Sequence, residues 1–291
     1  MNHHMSYIAE LRPELLREPS IGRILLDQGK ISPDDADRIL RVQKEKGVLF
    51  GEAAMELGLI TPADIEQVLA AQFRYPYLQA GEGGYSKDLV AAYDPFSDKV
   101  ETLRALRSQL ILRWFSAGHK SLAIFGADLD DGVSLLAANL AVVFSQLGQR
   151  TLLVDANLRS PVQHTLFNLG KRAGLSDMLA DRAGVEAANR IDSFVSLSVL
   201  TAGTAPPNPQ ELLGRPQFAA LGDSVNASYD IVLYEAPALG KAVDALAVAA
   251  KAGGVLLVGT KDKTQLANVR IAGEKIRGCG AEIVGTVMIE V

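Results

Sequence analysis

Ser121 to Arg159 read SLAIFGADLDDGVSLLAANLAVVFSQLGQRTLLVDANLR. A short apolar run, SLAIF, leads into a polar loop bounded by Gly126 and Gly132. Fifteen residues of helical length, VSLLAANLAVVFSQL, come next, and a second apolar run, TLLVD, closes the unit. Short buried runs on either side of a longer apolar segment describe strand, helix and strand. The alternation continues with SVLTAG, DIVLY, a helix near Val243, GVLLVG, a helix near Val269, and IVGTVMI. Strands and helices in that order predict an α/β fold with a doubly wound, mostly parallel sheet. Such sheets take ligands at the carboxyl ends of their strands, and here the first such loop is Gly126 to Ser134.

The chain has 291 residues, 48% of them apolar, enough for one large domain and one small one, each with its own core. With 29 basic against 34 acidic residues the formal charge is −5, which disfavours nucleic acid and anionic membrane surfaces as partners. No apolar run approaches the roughly 18 residues a spanning helix needs, and Met1 to Ser6 lacks a signal-peptide core, so a cytoplasmic protein without membrane insertion is expected. Cys279 is the single cysteine, which excludes an internal disulfide or thiolate zinc site and suits a buried small apolar role. His3 and His4 carry no weight in this reading.

An internal repeat opens the chain. Ser20 to Gln43 reads SIGRILLDQGKISPDDADRILRVQ and Leu49 to Gln72 reads LFGEAAMELGLITPADIEQVLAAQ, two 24-residue units with a five-residue spacer. Gly22 and Gly51, Gly29 and Gly58, Pro33 and Pro62, Asp35 and Asp64, and Gln43 and Gln72 coincide. Ser32-Pro33 and Thr61-Pro62 read as an N-cap followed by proline at the first helical position, so each unit is two short helices. Gly29 and Gly58 fall where the first helix ends and a left-handed backbone is wanted. The length, spacer and glycine placement resemble the MshEN domain of type II secretion and pilus ATPases, whose tandem motif binds cyclic di-GMP. The resemblance implies Gly22, Gly29, Gln43, Gly51, Gly58 and Gln72 as ligand positions. That motif opens with Arg-Leu-Gly, however, whereas this chain has Ser20-Ile21-Gly22 and Leu49-Phe50-Gly51. Without the arginine forks a helical docking module is expected, with cyclic di-GMP binding as the alternative.

From Tyr75 to Pro95 the text turns to Tyr, Pro, Gly and isolated polar residues, the composition of a connection. Tyr75, Tyr77, Tyr85 and Tyr93 fall here, as phosphate acceptors or, more simply, as rings that pin the segment to its domain. The expected organisation is a tail over 1–19, a repeat domain over 20–80, a linker over 81–94 and the α/β domain over 95–291. Glu101, Arg104 and Arg107 follow at i, i+3 and i+6 on one helix, a spacing that supports a surface ion pair of a few tenths of a kcal/mol.

Several stretches together resemble the bacterial tyrosine kinases of exopolysaccharide export, of the EpsG type associated with polysaccharide chain-length determinants. Leu152 to Pro161, LLVDANLRSP, has the form of their Walker A′ segment, and Gly174 to Leu179, GLSDML, that of the segment after it. Ala202 to Leu213, AGTAPPNPQELL, matches their proline loop, Tyr229 to Pro237 falls on their Walker B strand, and Glu101-Thr-Leu-Arg104-Ala-Leu-Arg107 matches their E-x-x-R-x-x-R segment. The resemblance implies a P-loop fold of the MinD and tyrosine-kinase type, with Mg-ATP as cofactor. It also implies a ring-like homo-oligomer with Glu101, Arg104 and Arg107 at its contacts, and a membrane-bound polysaccharide co-polymerase as partner.

The chemistry is where this sequence departs from the resemblance. A phosphate loop works through backbone N–H groups, a lysine that neutralises the outer phosphate, and a Ser or Thr that holds magnesium. Gly132 and Ser134 are present, but the lysine position is Val133, and Asp128, Asp130 and Asp131 enter the loop. A carboxylate about 5 Å from a phosphate oxygen costs on the order of 3 kcal/mol at an effective dielectric near 20. The second Walker A′ aspartate is Asn157, no general base at neutral pH, beside a retained Asp155. The Walker B aspartate is Glu235, followed by Ala236, and no tyrosine follows Tyr234 as an autophosphorylation tail. Gly240-Lys241 does not end a strand-to-helix loop and cannot replace the missing cation. The reading is therefore a non-catalytic regulator or scaffold without metal or cofactor, peripheral to the inner membrane through its partner. The alternatives are an active autokinase using Gly132, Ser134, Asp155 and Glu235, and a cyclic di-GMP sensor.

Overall fold

Residues 20–72, 77–79, 81–128, 132–240 and 242–290 are described in a computed structural model that divides into two units, Met1–Pro76 and Tyr77–Val291. The first unit contains α1 (Ile21–Asp27), α2 (Pro33–Lys46), α3 (Phe50–Glu56) and α4 (Pro62–Gln72). The repeat shows in how α2 and α4 begin. Ser32 Oγ accepts from Asp35 N at 3.2 Å while the Asp35 carboxylate accepts from Ser32 N at 3.1 Å, and Thr61 and Asp64 repeat the exchange at 3.2 and 2.8 Å. Gly29 and Gly58 take φ of +67° and +66° after α1 and α3, the left-handed turn their spacing requires. Leu25, Ile31, Ala36, Ile39, Ala53, Ala54, Ile60 and Val68 close an apolar cluster of this unit alone.

The second unit runs α5 (Val90–Tyr93), α6 (Asp98–Arg113), β1 (Ser121–Gly126), α7 (Val133–Gln146), β2 (Thr151–Asp155), α8 (Gln163–Leu166), α9 (Leu175–Leu179), β3 (Asn189–Arg190) and β4 (Leu197–Leu200). It continues with α10 (Pro209–Leu213), α11 (Pro216–Ser228), β5 (Ile231–Glu235), α12 (Asp244–Ala252), β6 (Gly254–Thr260), α13 (Leu266–Gly278) and β7 (Glu282–Ile289). The sheet order is β3-β4-β2-β5-β1-β6-β7, parallel throughout except for the two-residue β3 against β4. The six runs picked out in the sequence are β1, β2, β4, β5, β6 and β7; β3 is too short to leave a pattern.

Both faces of the sheet are covered, which is why its strands read as continuous apolar runs. Along β1, Ala123 and Phe125 enter one cluster with α9 to α13, while Leu122 and Ile124 enter the other with α6 and α7. The alternation is the period of two expected of extended chain. At roughly 1.5–3 kcal/mol for each fully buried Leu, Ile, Val or Phe, these two layers dominate the stabilisation of the unit.

The stretch 81–94, expected as a linker, is packed onto the second unit. Leu89, Ala91 and Ala92 are fully buried there, and the buried amide of Asn139 on α7 accepts from Ala91 N at 2.9 Å and donates to Asp88 O at 3.1 Å. A buried amide whose polar atoms are satisfied by a neighbouring segment fixes that segment in place. Of the tyrosines, Tyr85 packs against Phe167 and Phe194, and the Tyr93 hydroxyl donates to Glu82 O at 2.6 Å. Both rings pin the chain; Tyr75 lies outside the described residues. Cys279 is half-buried against the core rather than enclosed in it. Among the described residues no helix is long and apolar enough to cross a membrane.

Candidate functional site

The carboxyl ends of β1, β2 and β5 meet where the chain leaves β1 for β2 on one side and passes from β5 to β6 on the other. This reversal is where open α/β sheets leave a crevice. Four of the residues singled out in the sequence converge on it: Ser134 at the start of α7, Asp155 ending β2, Glu235 ending β5, and Asn157 just beyond β2. Asp155 and Glu235 are Cα partners in register, and both are buried. Gly132 caps α7 with φ of +75°, a conformation that favours glycine and turns the loop into the helix.

Asp155 accepts from three backbone N–H groups, those of Asn157 at 3.3 Å, Val162 at 3.2 Å and Gln163 at 3.1 Å. Asn157 Oδ1 in turn accepts from Ser160 N at 3.2 Å, so this asparagine shapes the turn after β2. The Ser134 hydroxyl donates to Glu235 Oε1, and Gln163 Nε2 donates to Glu235 Oε2 at 2.6 Å and to Ser134 O at 2.9 Å. Burial first, and the facing Glu235 carboxylate second, push the Asp155 carboxyl well above its usual range, with the N–H groups of Gln163, Asn157 and Val162 opposing.

Val133 is 2% exposed, and its side chain belongs to the apolar cluster beneath α7. Asp128 corrects the expectation that it repels a phosphate from within the loop. Its carboxylate accepts from Thr264 Oγ1 at 2.9 Å and Asn268 Nδ2 at 2.8 Å, which commits it to the side of α13. Asp130, Asp131 and Lys241 lie outside the described residues. The apolar Val133 supplies no cation, and the hydroxyl and carboxylates that would hold magnesium already have hydrogen-bond partners within the protein. At the described positions Mg-ATP would find no lysine at residue 133 and would have to displace the hydrogen bonds among Ser134, Gln163 and Glu235.

Two participants were not singled out in the sequence, although one, Arg159, lies within the quoted stretch Leu152 to Pro161. Gln163 lies in none of the quoted motifs, and only the fold brings it to Ser134 and Glu235. Arg159 forms a two-pronged pair with buried Asp244 of α12, at 2.6 and 3.2 Å, which ties the turn after β2 to α12. On α6, Arg104 pairs with Glu101 and Arg107 Nη1 donates to Val143 O of α7 at 2.6 Å, so this segment makes contacts within its own chain. In the repeats, a Cβ at Gly22 would lie 3.1 Å from the Phe50 ring and one at Gly51 2.2 Å from Ile65 Cδ1. Both glycines permit close packing within the unit. Gly29 and Gly58 form turns, Gln43 is half-buried on α2, and Gln72 is the last residue of α4.

A mostly parallel sheet covered on both faces, with a glycine-capped helix and paired carboxylates at its switch point, has the architecture of the P-loop fold class. No model of a known protein family matches the chain. It is 34% identical over 202 residues to the tyrosine-protein kinase YwqD of Bacillus subtilis, covering 69% of this chain and 85% of that one. It is 29% identical over 257 residues to a putative tyrosine-protein kinase in the cps region of Klebsiella pneumoniae, covering 86% of this chain but only 35% of that longer protein. The kinase domain of Escherichia coli tyrosine kinase ETK superposes with a TM-score of 0.67 at 30% identity, covering 70% of this chain and 80% of that one. The chain belongs to the bacterial tyrosine-protein kinase family.

Proposed function

We propose that this family member does not transfer phosphate and acts as a regulator or scaffold of exopolysaccharide biosynthesis and export. It docks from the cytoplasmic side on a membrane-bound polysaccharide co-polymerase, as a homo-oligomer whose contacts include Glu101, Arg104 and Arg107. The observation that carries the reading is the burial of Val133 in the apolar core at the position where phosphate binding needs a cation. The hydrogen-bonded Ser134, Glu235 and Gln163 support it, because a magnesium ion would have to break contacts that already satisfy them. The cps-region relative supports the polysaccharide context.

Calorimetry of the full chain with Mg-ATP is expected to show no binding tighter than about 100 μM, equivalent to less than roughly 5 kcal/mol of favourable contacts. Incubation with radiolabelled ATP is expected to leave the protein unlabelled. Tighter binding, or label on tyrosine, overturns the reading in favour of an active autokinase. Loss of co-purification with the co-polymerase on combining Arg104→Glu with Arg107→Glu is the expected sign of the docking role. The arginine-free glycine positions of the repeats are accounted for by packing and turns, and the first unit serves as a docking module.

A further inference from the structure

Gln163 opens α8 and is fully buried, although no motif of the sequence includes it. Its two amide hydrogens are both used, one on Glu235 Oε2 and one on the carbonyl of Ser134. Its carbonyl oxygen Oε1, equally buried, has no hydrogen-bond partner. The orientation is dictated by the neighbours. Turned over, the amide would set its oxygen against a carboxylate and a carbonyl, two acceptors, and lose both bonds. A buried side chain that leaves its own acceptor unsatisfied to present both donors is responding to the acidic character of the place it occupies.

That place lies at the facing carboxylates of Asp155 and Glu235 and the hydroxyl of Ser134, oxygen ligands of the kind a hard divalent cation takes. Removing two carboxylates from water requires a compensating cation, proton or set of donors. Asp155 has its three backbone N–H groups, and Glu235 has the Ser134 hydroxyl and the Gln163 amide. Resting on the non-catalytic reading above, we infer that Gln163 is an internal substitute for the divalent cation: its amide donors satisfy Glu235, bind α8 to α7 and β5, and keep metal ions out. The turn from β2 to α8 is thereby held in one arrangement that needs no ligand, so the face presented at the carboxyl ends of the strands does not change with nucleotide or magnesium.

Paramagnetic Mn²⁺ tests this on the full chain labelled with ¹⁵N, by the broadening of the backbone resonances of Ser134, Asp155 and Glu235. The wild-type protein is expected to show no site-specific broadening up to about 1 mM Mn²⁺, whereas Gln163→Ala broadens these resonances at concentrations at least about ten-fold lower. Gln163→Met, which keeps the volume and removes both donors, gives the same comparison if the alanine variant does not fold. Broadening in the wild type overturns the inference, because the amide would then not exclude the ion. Absence of broadening in wild type and folded variants alike also overturns it, since the carboxylate pair would not be a cation site released by removing the amide. That second result leaves the non-catalytic reading standing; only Mg-ATP binding or tyrosine labelling defeats that.

Discussion

Val133 begins α7 with its side chain inside the layer formed by Ile124, Ala137 and Leu140, so a charge there must be buried or must force the helix start outward. Val133→Lys is expected to lower the unfolding free energy by about 2 to 4 kcal/mol in urea melts, the cost of placing an ammonium group in an apolar site. Calorimetry of the same variant is expected to show no gain of Mg-ATP binding, because Ser134 and Glu235 stay committed to each other. Asp155 supplies a second test at this scale. Its folded-state pKa is raised above the unfolded value of about 4, so its contribution is fully favourable below that pH and is lost as pH rises through the folded value. Stability is expected to fall as pH rises from about 4 toward the raised folded value, by about 1.4 kcal/mol for each unit of separation crossed. Glu235→Gln removes the facing charge and is expected to flatten that slope in urea melts across the same range.

At the level of elements, the two repeats use glycine in two different ways, and substitution separates them. Gly29 has φ of +67° and open space where a Cβ would lie, so Gly29→Ala is expected to cost about 1 kcal/mol through the backbone alone. Gly51 lets α3 approach α4, and Gly51→Ala is expected to cost about 1 to 3 kcal/mol by overpacking against Ile65 Cδ1. Adding Ile65→Val removes that atom and is expected to recover most of the loss for Gly51→Ala and none for Gly29→Ala, measured as a double-mutant cycle in urea. The repeats are also joined electrostatically. The Lys30 ammonium, followed by the Thr61 cap, holds the Asp64 carboxyl down at about 2. A depressed carboxylate contributes stability above its unfolded pKa and loses it as pH falls through the folded one. Acid melts of the first unit between about pH 4 and pH 2 are therefore expected to weaken, and less so in Lys30→Met.

Over the whole molecule, the cluster around Leu25 and Ile39 contains residues of the first unit only, and the two sheet layers contain residues of the second only. Two independently closed cores are expected to unfold in two calorimetric transitions, with the Lys30→Met change displacing one of them and the Val133→Lys change the other. A single transition shifted by both substitutions would show the units to be thermodynamically coupled. Neither transition is expected to rise with millimolar Mg-ATP, since only a ligand of the native state raises apparent stability.

The fold was legible because its determinants are local and periodic: short apolar runs such as Leu152 to Val154, alternating with longer helical segments, read as strands buried on both faces, and Ser32-Pro33 and Thr61-Pro62 mark helix starts through adjacent residues. The replaced positions Val133, Asn157 and Glu235 could likewise be read one at a time, because what a side chain lacks is a property of that residue. The long-range pairings around them could not be read. Gln163 reaches Glu235 across 72 residues of sequence, Asp128 is drawn to Asn268 across 140, and Asn139 holds Ala91 across 48. These are pairings of single buried polar atoms, with no period or spacing to announce them. Chain topology alone brings the partners within hydrogen-bond reach, and burial makes leaving them unpaired too costly.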